Sequence, residues 1–395
     1  MGINLPDRKQ TQPRTNDLPK RNAGIDIVRT IAILCVIGVH TLPQTVPLAL
    51  GIGREGASVP LRVLTQFIQT LGQVGVPLFL VISGYLMLDK DYTGRNLRRF
   101  ITHNLLPLLV SFEFWNLAMA AIKHYWITHD VSVAAVIKSA LFLADPPMGH
   151  LWYLQMIFAA YCTLPLLALG LQKIRETHNE PYLWGFIIAL LAFRSLVPTA
   201  EQYAAFLGHR PTIKIIYSPI VTDYSRVLVL LLIGYAIRRG LLMNLRDLLL
   251  VSLLIGSLLL LTADGYFRLM YGQPGTPMLP DTDNIFVLLA AMMICATVEK
   301  ITSHRHLPKP VASVFQYLAQ QTYGIYIIHF PIVYVLASFW HLTDSNWLNF
   351  VLYCLVAFIP SLLATTLLSR IPVIGRWLFL AKTSGPKTST PATGR

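Results

Sequence analysis

Charge is what this 395-residue chain has least of: Asp, Glu, Lys and Arg together make up 13% of it, about half the share usual in soluble domains. Between its apolar runs no polar stretch is long enough to bury a core of its own, which excludes a separate soluble domain. Cysteine is scarce as well. Cys35, Cys162, Cys295 and Cys354 each fall inside an apolar run, without the paired spacing of a metal site or disulfide framework, and read as small core residues. No Walker loop, His-Glu-x-x-His or Gly-x-Ser-x-Gly occurs, so phosphate-loop hydrolysis, zincin chemistry and a nucleophile elbow have no support. No metal site is expected. Internal repeats are missing too, and with them the matched halves of many transporters. The net charge of +13 is spread over short connectors rather than gathered on one basic surface, which argues against nucleic acid as a partner.

What is present is apolar, 54% by composition. Ten segments stand near the length that crosses ~30 Å of hydrocarbon as a helix: roughly 25–42, 62–88, 101–123, 150–171, 182–198, 222–238, 246–263, 284–299, 313–340 and 346–368. The expectation is an all-α polytopic membrane protein of about ten transmembrane helices. The second and ninth segments exceed the length needed, with Pro77 and Pro331 as kink points. Residues 1–23 read as a disordered basic tail with no cleavable signal after it, 24–370 as the transmembrane domain and 371–395 as a C-terminal tail. Alternating the segments puts 22 of the 32 lysines and arginines on the side of the N-terminus, so the positive-inside rule makes both termini cytoplasmic.

The first segment carries three ionisable residues, Asp26, Arg29 and His40. Each costs roughly 2.5–3.5 kcal/mol in a membrane helix on insertion scales, and such residues mark functional sites. Arg29 and His40 are eleven positions apart, near three full turns, so both project from one face about 16 Å apart along the axis. Asp26 lies on that face, three residues before Arg29 and able to pair with it. His40 is either a base for an acceptor hydroxyl or a hydrogen-bonded packing histidine.

A second constellation runs from Val76-Pro-Leu-Phe-Leu-Val-Ile-Ser-Gly-Tyr85 into Arg95-Asn-Leu-Arg98-Arg99. Its arginines either grip phosphates bidentately or anchor the interface. Ser83 and Gly84 suit a close helix contact. A third set is His150-Leu-Trp152-Tyr153 and Tyr323-Gly-Ile-Tyr-Ile-Ile-His329, where interface anchoring and a satisfied core histidine are the simpler readings. Glu113, Arg194 and Arg226 are further ionisable groups that snorkelling explains as readily as function. From these residues alone a transporter or flippase of an anionic lipid-linked sugar stands beside an enzyme, and a scaffold without chemistry stands behind both.

In combination, Asp26-x-x-Arg29, ten residues to His40, the Ser83-Gly84-Tyr85 stretch and the basic Arg95-x-x-Arg98 loop resemble acyltransferase family 3, the integral membrane O-acyltransferases. The likeness extends over about residues 24–370, and its nearest subgroup is the WecH-like surface-polysaccharide O-acetyltransferases. It departs from the family where His103 and Asn104 stand before Pro107 in place of a further arginine. The resemblance implies transfer of an acyl group, commonly acetyl, from cytoplasmic acyl-coenzyme A to a hydroxyl of a cell-surface glycan or its lipid-linked precursor, in a bacterial inner membrane. Acyl-coenzyme A is then a donor substrate rather than a resident cofactor. On the same resemblance His40 is catalytic, as base or transient acyl carrier, while Arg29, tuned by Asp26, holds the donor or orders its site together with Arg95 and Arg98. Arg95, Arg98 and Arg99, with Ser83 and Tyr85, serve the donor; His150, Trp152, Tyr323 and His329 serve the acceptor.

Overall fold

The computed structural model describes residues 21–208, 223–272, 279–305, 307–339 and 345–381. The basic tail before Arg21, the chain after Ala381 and parts of four connections lie outside those residues, and with them the expectation of disordered tails. Among the described residues there is no strand. The helices are α1 (Ala23–Thr45), α2 (Val59–Gln73), α3 (Gly75–Met87), α4 (Gly94–Phe100), α5 (Leu106–Lys123), α6 (Val133–Ala140), α7 (Trp152–Glu176), α8 (Glu180–Leu191), α9 (Val197–Phe206), α10 (Asp223–Arg238), α11 (Asp247–Tyr271), α12 (Ile285–His304), α13 (Lys309–Phe339), α14 (Asn346–Leu368) and α15 (Pro372–Leu378).

Eight helices or unbroken helical runs among the described residues are long and apolar enough to cross a membrane: Ala23–Thr45, Val59–Met87, Gly94–Thr128, Gly149–Glu176, Glu180–Phe206, Asp247–Tyr271, Ile285–His304 and Asn346–Leu368. The two remaining expected segments are helical as well, as α10 and α13. The long second segment divides into α2 and α3 just before Pro77, which then sits in the first turn of α3, where its missing N–H costs nothing. Across Pro331, by contrast, α13 continues without a break. Two wide turns have the same cause. At Ile101–Leu105 and Ala192–Leu196 the ladder opens to i+5 bonds, Leu106 N to the Ile101 carbonyl and Val197 N to the Ala192 carbonyl. Pro107 and Pro198 follow and cannot donate to the carbonyls of His103 and Arg194.

Helix α1 is the axis of the bundle and packs against α2, α3, α12, α13 and α14. Its own hydroxyls are satisfied within it: Thr30 and Thr41 donate to the carbonyls of Asp26 and Ile37 four residues back (2.9 and 2.7 Å), which lets them lie in an apolar core. Asn22 caps the helix, accepting from Ile25 N at 3.2 Å. Its Nδ2 donates to both Glu299 oxygens (3.0 and 2.8 Å), and the Tyr85 hydroxyl donates to Glu299 at 2.5 Å. This clasp ties the starts of α1, the end of α3 and the end of α12 into one basic end of the bundle. Elsewhere α3 and α10 meet almost backbone to backbone. A Cβ on Gly84 would overlap the Leu231 carbonyl, and one on Gly234 the Val81 carbonyl, so the close contact expected at Ser83-Gly84 is a crossing in which each helix sets a glycine against the other's backbone.

The outside of the bundle is apolar: Leu166 is 72% exposed and Leu248 79%, a surface suited to lipid rather than water. Cys35 and Cys295 are buried and Cys354 half-buried, as core residues should be, but Cys162 sits on the exposed side of α7.

Candidate active site

A cavity of about 790 Å³ opens at the basic end of the bundle, within the volume range of small-molecule sites. Lys90, Asp91, Arg99, His103 and Arg376 line its outer part, and Tyr153, Ile157, Tyr161 and Tyr323 its inner part. One helical stripe supplies much of the mouth. Asn96, Arg99, Phe100, His103 and Asn104 recur at three- and four-residue spacing along α4 and the wide turn after it, so that all face the cavity. Arg95 and Arg98 lie off the stripe and are exposed. Of the three arginines singled out in sequence, Arg99 alone lines the cavity, and His103 and Asn104, where the family's further arginine is missing, line it too. The one acid there is occupied. Asp91 accepts from the Thr93 hydroxyl (2.7 Å) and amide (2.9 Å) and from Asn96 Nδ2 (2.9 Å), and these bonds, Thr93 first, hold its carboxyl below the usual carboxylate range. The mouth is thus cationic.

The inner end is aromatic. Tyr323 shares a 2.7 Å hydrogen bond with Ser111 of α5. Arg29 of α1 interacts electrostatically with Tyr161 and Tyr153, and the Tyr161 hydroxyl lies beside Ser83. Ser83 itself donates to the Phe79 carbonyl at 2.9 Å. Asp26 makes its hydrogen-bonded ion pair with Arg21 rather than Arg29, its two oxygens accepting from Arg21 Nε and Nη2 at 2.6 and 2.9 Å, while its charge still acts on Arg29. Tyr85 is not part of the cavity lining. It belongs to the Asn22–Glu299 clasp, with Arg238 5.2 Å over its ring.

Beyond Tyr153 the site continues into three histidines. Tyr153 packs on Tyr326 (5.4 Å between ring centroids), Tyr326 on His150 (5.7 Å) and on His329 (6.0 Å), and His329 on His40 (5.5 Å). Phe330 is the common floor, 4.8 Å from His40 and stacked 4.5 Å from His150. His40, His150 and His329, spread over 289 residues of sequence, are therefore one cluster. Because Tyr153, at the start of α7, follows His150 by three residues, the cavity ends within about a turn of it.

The tautomers of two of these rings follow from their bonds. A carbonyl only accepts, so His150 Nε2 donates to the Ile327 carbonyl (3.3 Å) and His329 Nδ1 to the Ile325 carbonyl (3.0 Å). That leaves His150 Nδ1 and His329 Nε2 as buried acceptors without a partner among the described residues. His40 is half-buried, touches His329 and Phe330 by its ring, and makes no side-chain hydrogen bond among the described residues. None of the three histidines lines the cavity itself. Trp152 stands apart, half-buried and edge-on to Tyr153 at 6.4 Å.

Three other arginines of the apolar segments, Arg194, Arg226 and Arg268, are paired with aspartates outside the cavity lining. Arg194 binds Asp283 at 2.5 Å and Arg226 approaches Asp281 at 3.9 Å. Arg268, which the sequence reading passed over, binds Asp264 at 2.9 Å with both side chains buried. Glu113 is half-buried on α5.

No curated protein and no solved structure matches this sequence. The family model described as an acyltransferase domain matches residues 22–366, a span that begins at the cap of α1, contains all three histidines, Arg29 and Arg99, and ends within α14. This chain belongs to acyltransferase family 3, membrane proteins that transfer acyl groups.

Proposed function

We propose that the chain takes an acyl group, acetyl foremost, from a coenzyme A thioester entering at the basic end, and delivers it to a hydroxyl of a cell-surface glycan or its lipid-linked precursor. The observation that carries this reading is the single cavity joining a cationic mouth to an aromatic inner end one turn short of His150. A nucleotide diphosphate suits the first, through the guanidinium fork of Arg99. A slender pantetheine arm suits the second, passing Arg29 and Tyr161 toward His40. On this reading all ten expected segments cross, and the excess of basic residues at the mouth favours a cytoplasmic position for that end and for both termini, in a bacterial inner membrane. Among subgroups we favour the WecH-like surface-polysaccharide O-acetyltransferases.

In the chemical step His40 is the general base. It removes the proton of the acceptor hydroxyl as that oxygen attacks the thioester carbonyl. The tetrahedral intermediate then collapses, the carbon–sulfur bond breaks, and the proton held on His40 goes to the departing thiolate. His150 Nδ1 and His329 Nε2, unpartnered acceptors beside His40, suit donor hydroxyls on the sugar, each of which would satisfy a lone pair that is otherwise costly to bury.

Radiolabelled acetyl-coenzyme A supplied to inside-out and right-side-out vesicles tests the reading. Label entering lipid-linked or polymeric glycan in inside-out vesicles alone is the expected outcome. Label in glycan from right-side-out vesicles would reverse the orientation, and its absence from both, with folded protein present, would sink the donor assignment.

A further inference from the structure

The family match stops at residue 366, yet the wall of the cavity does not. After α14 the chain turns back through α15, and Arg376, Leu380 and Ala381 line the cavity directly. The return is built rather than loose. The Leu378 carbonyl accepts from Ser111 Oγ (2.9 Å) and from Trp115 Nε1 (3.0 Å), both on α5. Phe379 is 3% exposed, lies edge-on to Trp115 at 5.6 Å and packs over Gly324, where any side chain would meet it. Gly375 approaches the Ser369 carbonyl so closely that no Cβ fits, and Ala381 N donates back to the Gly375 carbonyl at 2.8 Å. Ser111 is also the partner of Tyr323 at the inner end of the cavity. One hydroxyl therefore fixes both the C-terminal wall and a tyrosine of the donor path.

We infer that this C-terminal segment completes the donor site and that Arg376, which lines the cavity together with Arg99, grips a phosphate of the nucleotide half of the donor; the inference rests on the coenzyme A reading above. Arg376 has no acidic partner among the described residues. Its guanidinium is 5.2 Å from the Trp377 ring, a stacking that orients the fork without neutralising it. The one acid lining the cavity, Asp91, is already bound by Thr93 and Asn96. A plain interfacial anchor would need no such docking onto α5 and no place in the cavity wall.

Titrating the purified full chain in detergent with coenzyme A, and separately with pantetheine, which lacks the nucleotide and its phosphates, tests the assignment. Arg376→Ala should weaken coenzyme A binding roughly tenfold to a hundredfold, the range of a lost charge-assisted hydrogen bond, while pantetheine binds both proteins equally. Arg376→Lys should fall between, keeping the charge and losing the fork. Arg370→Ala, an exposed arginine outside the cavity lining, should match wild type. Wild-type coenzyme A affinity in Arg376→Ala would overturn the inference and leave the donor reading standing. An equal loss in Arg370→Ala would reduce it to general surface charge and overturn it as well. Failure of the wild type to bind coenzyme A would overturn the donor reading and the inference together.

Discussion

Removing Asp264 should damage this protein more than removing any surface charge, although Asp264 is far from the candidate site. Its Oδ2 accepts from Arg268 Nε at 2.9 Å and its Oδ1 from the Tyr203 hydroxyl at 2.7 Å. Both charged side chains are essentially inaccessible, at 0% and 2%. Asp264→Ala leaves a buried guanidinium without its counter-charge, which typically costs about 3–5 kcal/mol. Arg268 keeps Gln202 as an acceptor at 2.7 Å and the Phe206 ring at 5.7 Å, which places the expected loss near the lower end, about 3 kcal/mol. That is roughly a hundredfold in the folded-to-unfolded ratio, readable as a shift in the midpoint of equilibrium unfolding by dodecyl sulfate in mixed micelles. Replacing both partners, Asp264→Leu with Arg268→Met, removes the stranded charge and should return to within about 1 kcal/mol of wild type. A single variant losing less than about 1 kcal/mol, or a double variant as weak as the single, would refute the view that the pair matters through charge compensation.

Three further outcomes follow from the packing and the cavity. Gly84→Val forces α3 and α10 apart, because the group it strikes is the Leu231 backbone carbonyl; a loss of about 3 kcal/mol or failure to fold is expected, seen as a lost monodisperse peak in size-exclusion chromatography. Gly256→Ala, a glycine with open space around it, should instead hold or gain up to about 1 kcal/mol. In acetyl-transfer kinetics, Arg99→Ala should raise KM for acetyl-coenzyme A roughly tenfold, whereas Arg95→Ala, exposed and off the cavity stripe, should change it less than about twofold.

The helices were legible because apolar runs of membrane length leave the backbone few alternatives. The bond partners within them were not. Asp26 and Arg29 have the spacing of a helical pair, but Arg21, outside the helix, offers Asp26 a two-pronged bond that spacing cannot reveal. The three histidines show the same limit. Each looks like a lone intramembrane residue in sequence, and their convergence depends on α1 packing against α13 with the short turn before α7 brought up to both. Tyr153, Tyr161 and Tyr326 went unremarked as site residues because aromatics in apolar segments usually mean packing or interface. Arg95, Arg98 and Arg99 form one basic patch in sequence; only the helical phase of α4 turns Arg99 inward. A usable signal did exist there, since Asn96, Arg99, His103 and Pro107 share one periodic face. Arg376 carried none, for it follows the last apolar segment among residues that read as tail.

The central claim is that acyl transfer passes through His40. Single-turnover transfer of radiolabelled acetyl groups into glycan, compared between wild type and His40→Ala at matched protein and with coenzyme A affinity measured on the same preparations, tests it most directly. A rate lowered at least about a hundredfold, as loss of a general base requires, with coenzyme A affinity unchanged, is the result predicted. Transfer at the wild-type rate by His40→Ala would contradict the account and remove the histidine cluster from the chemistry.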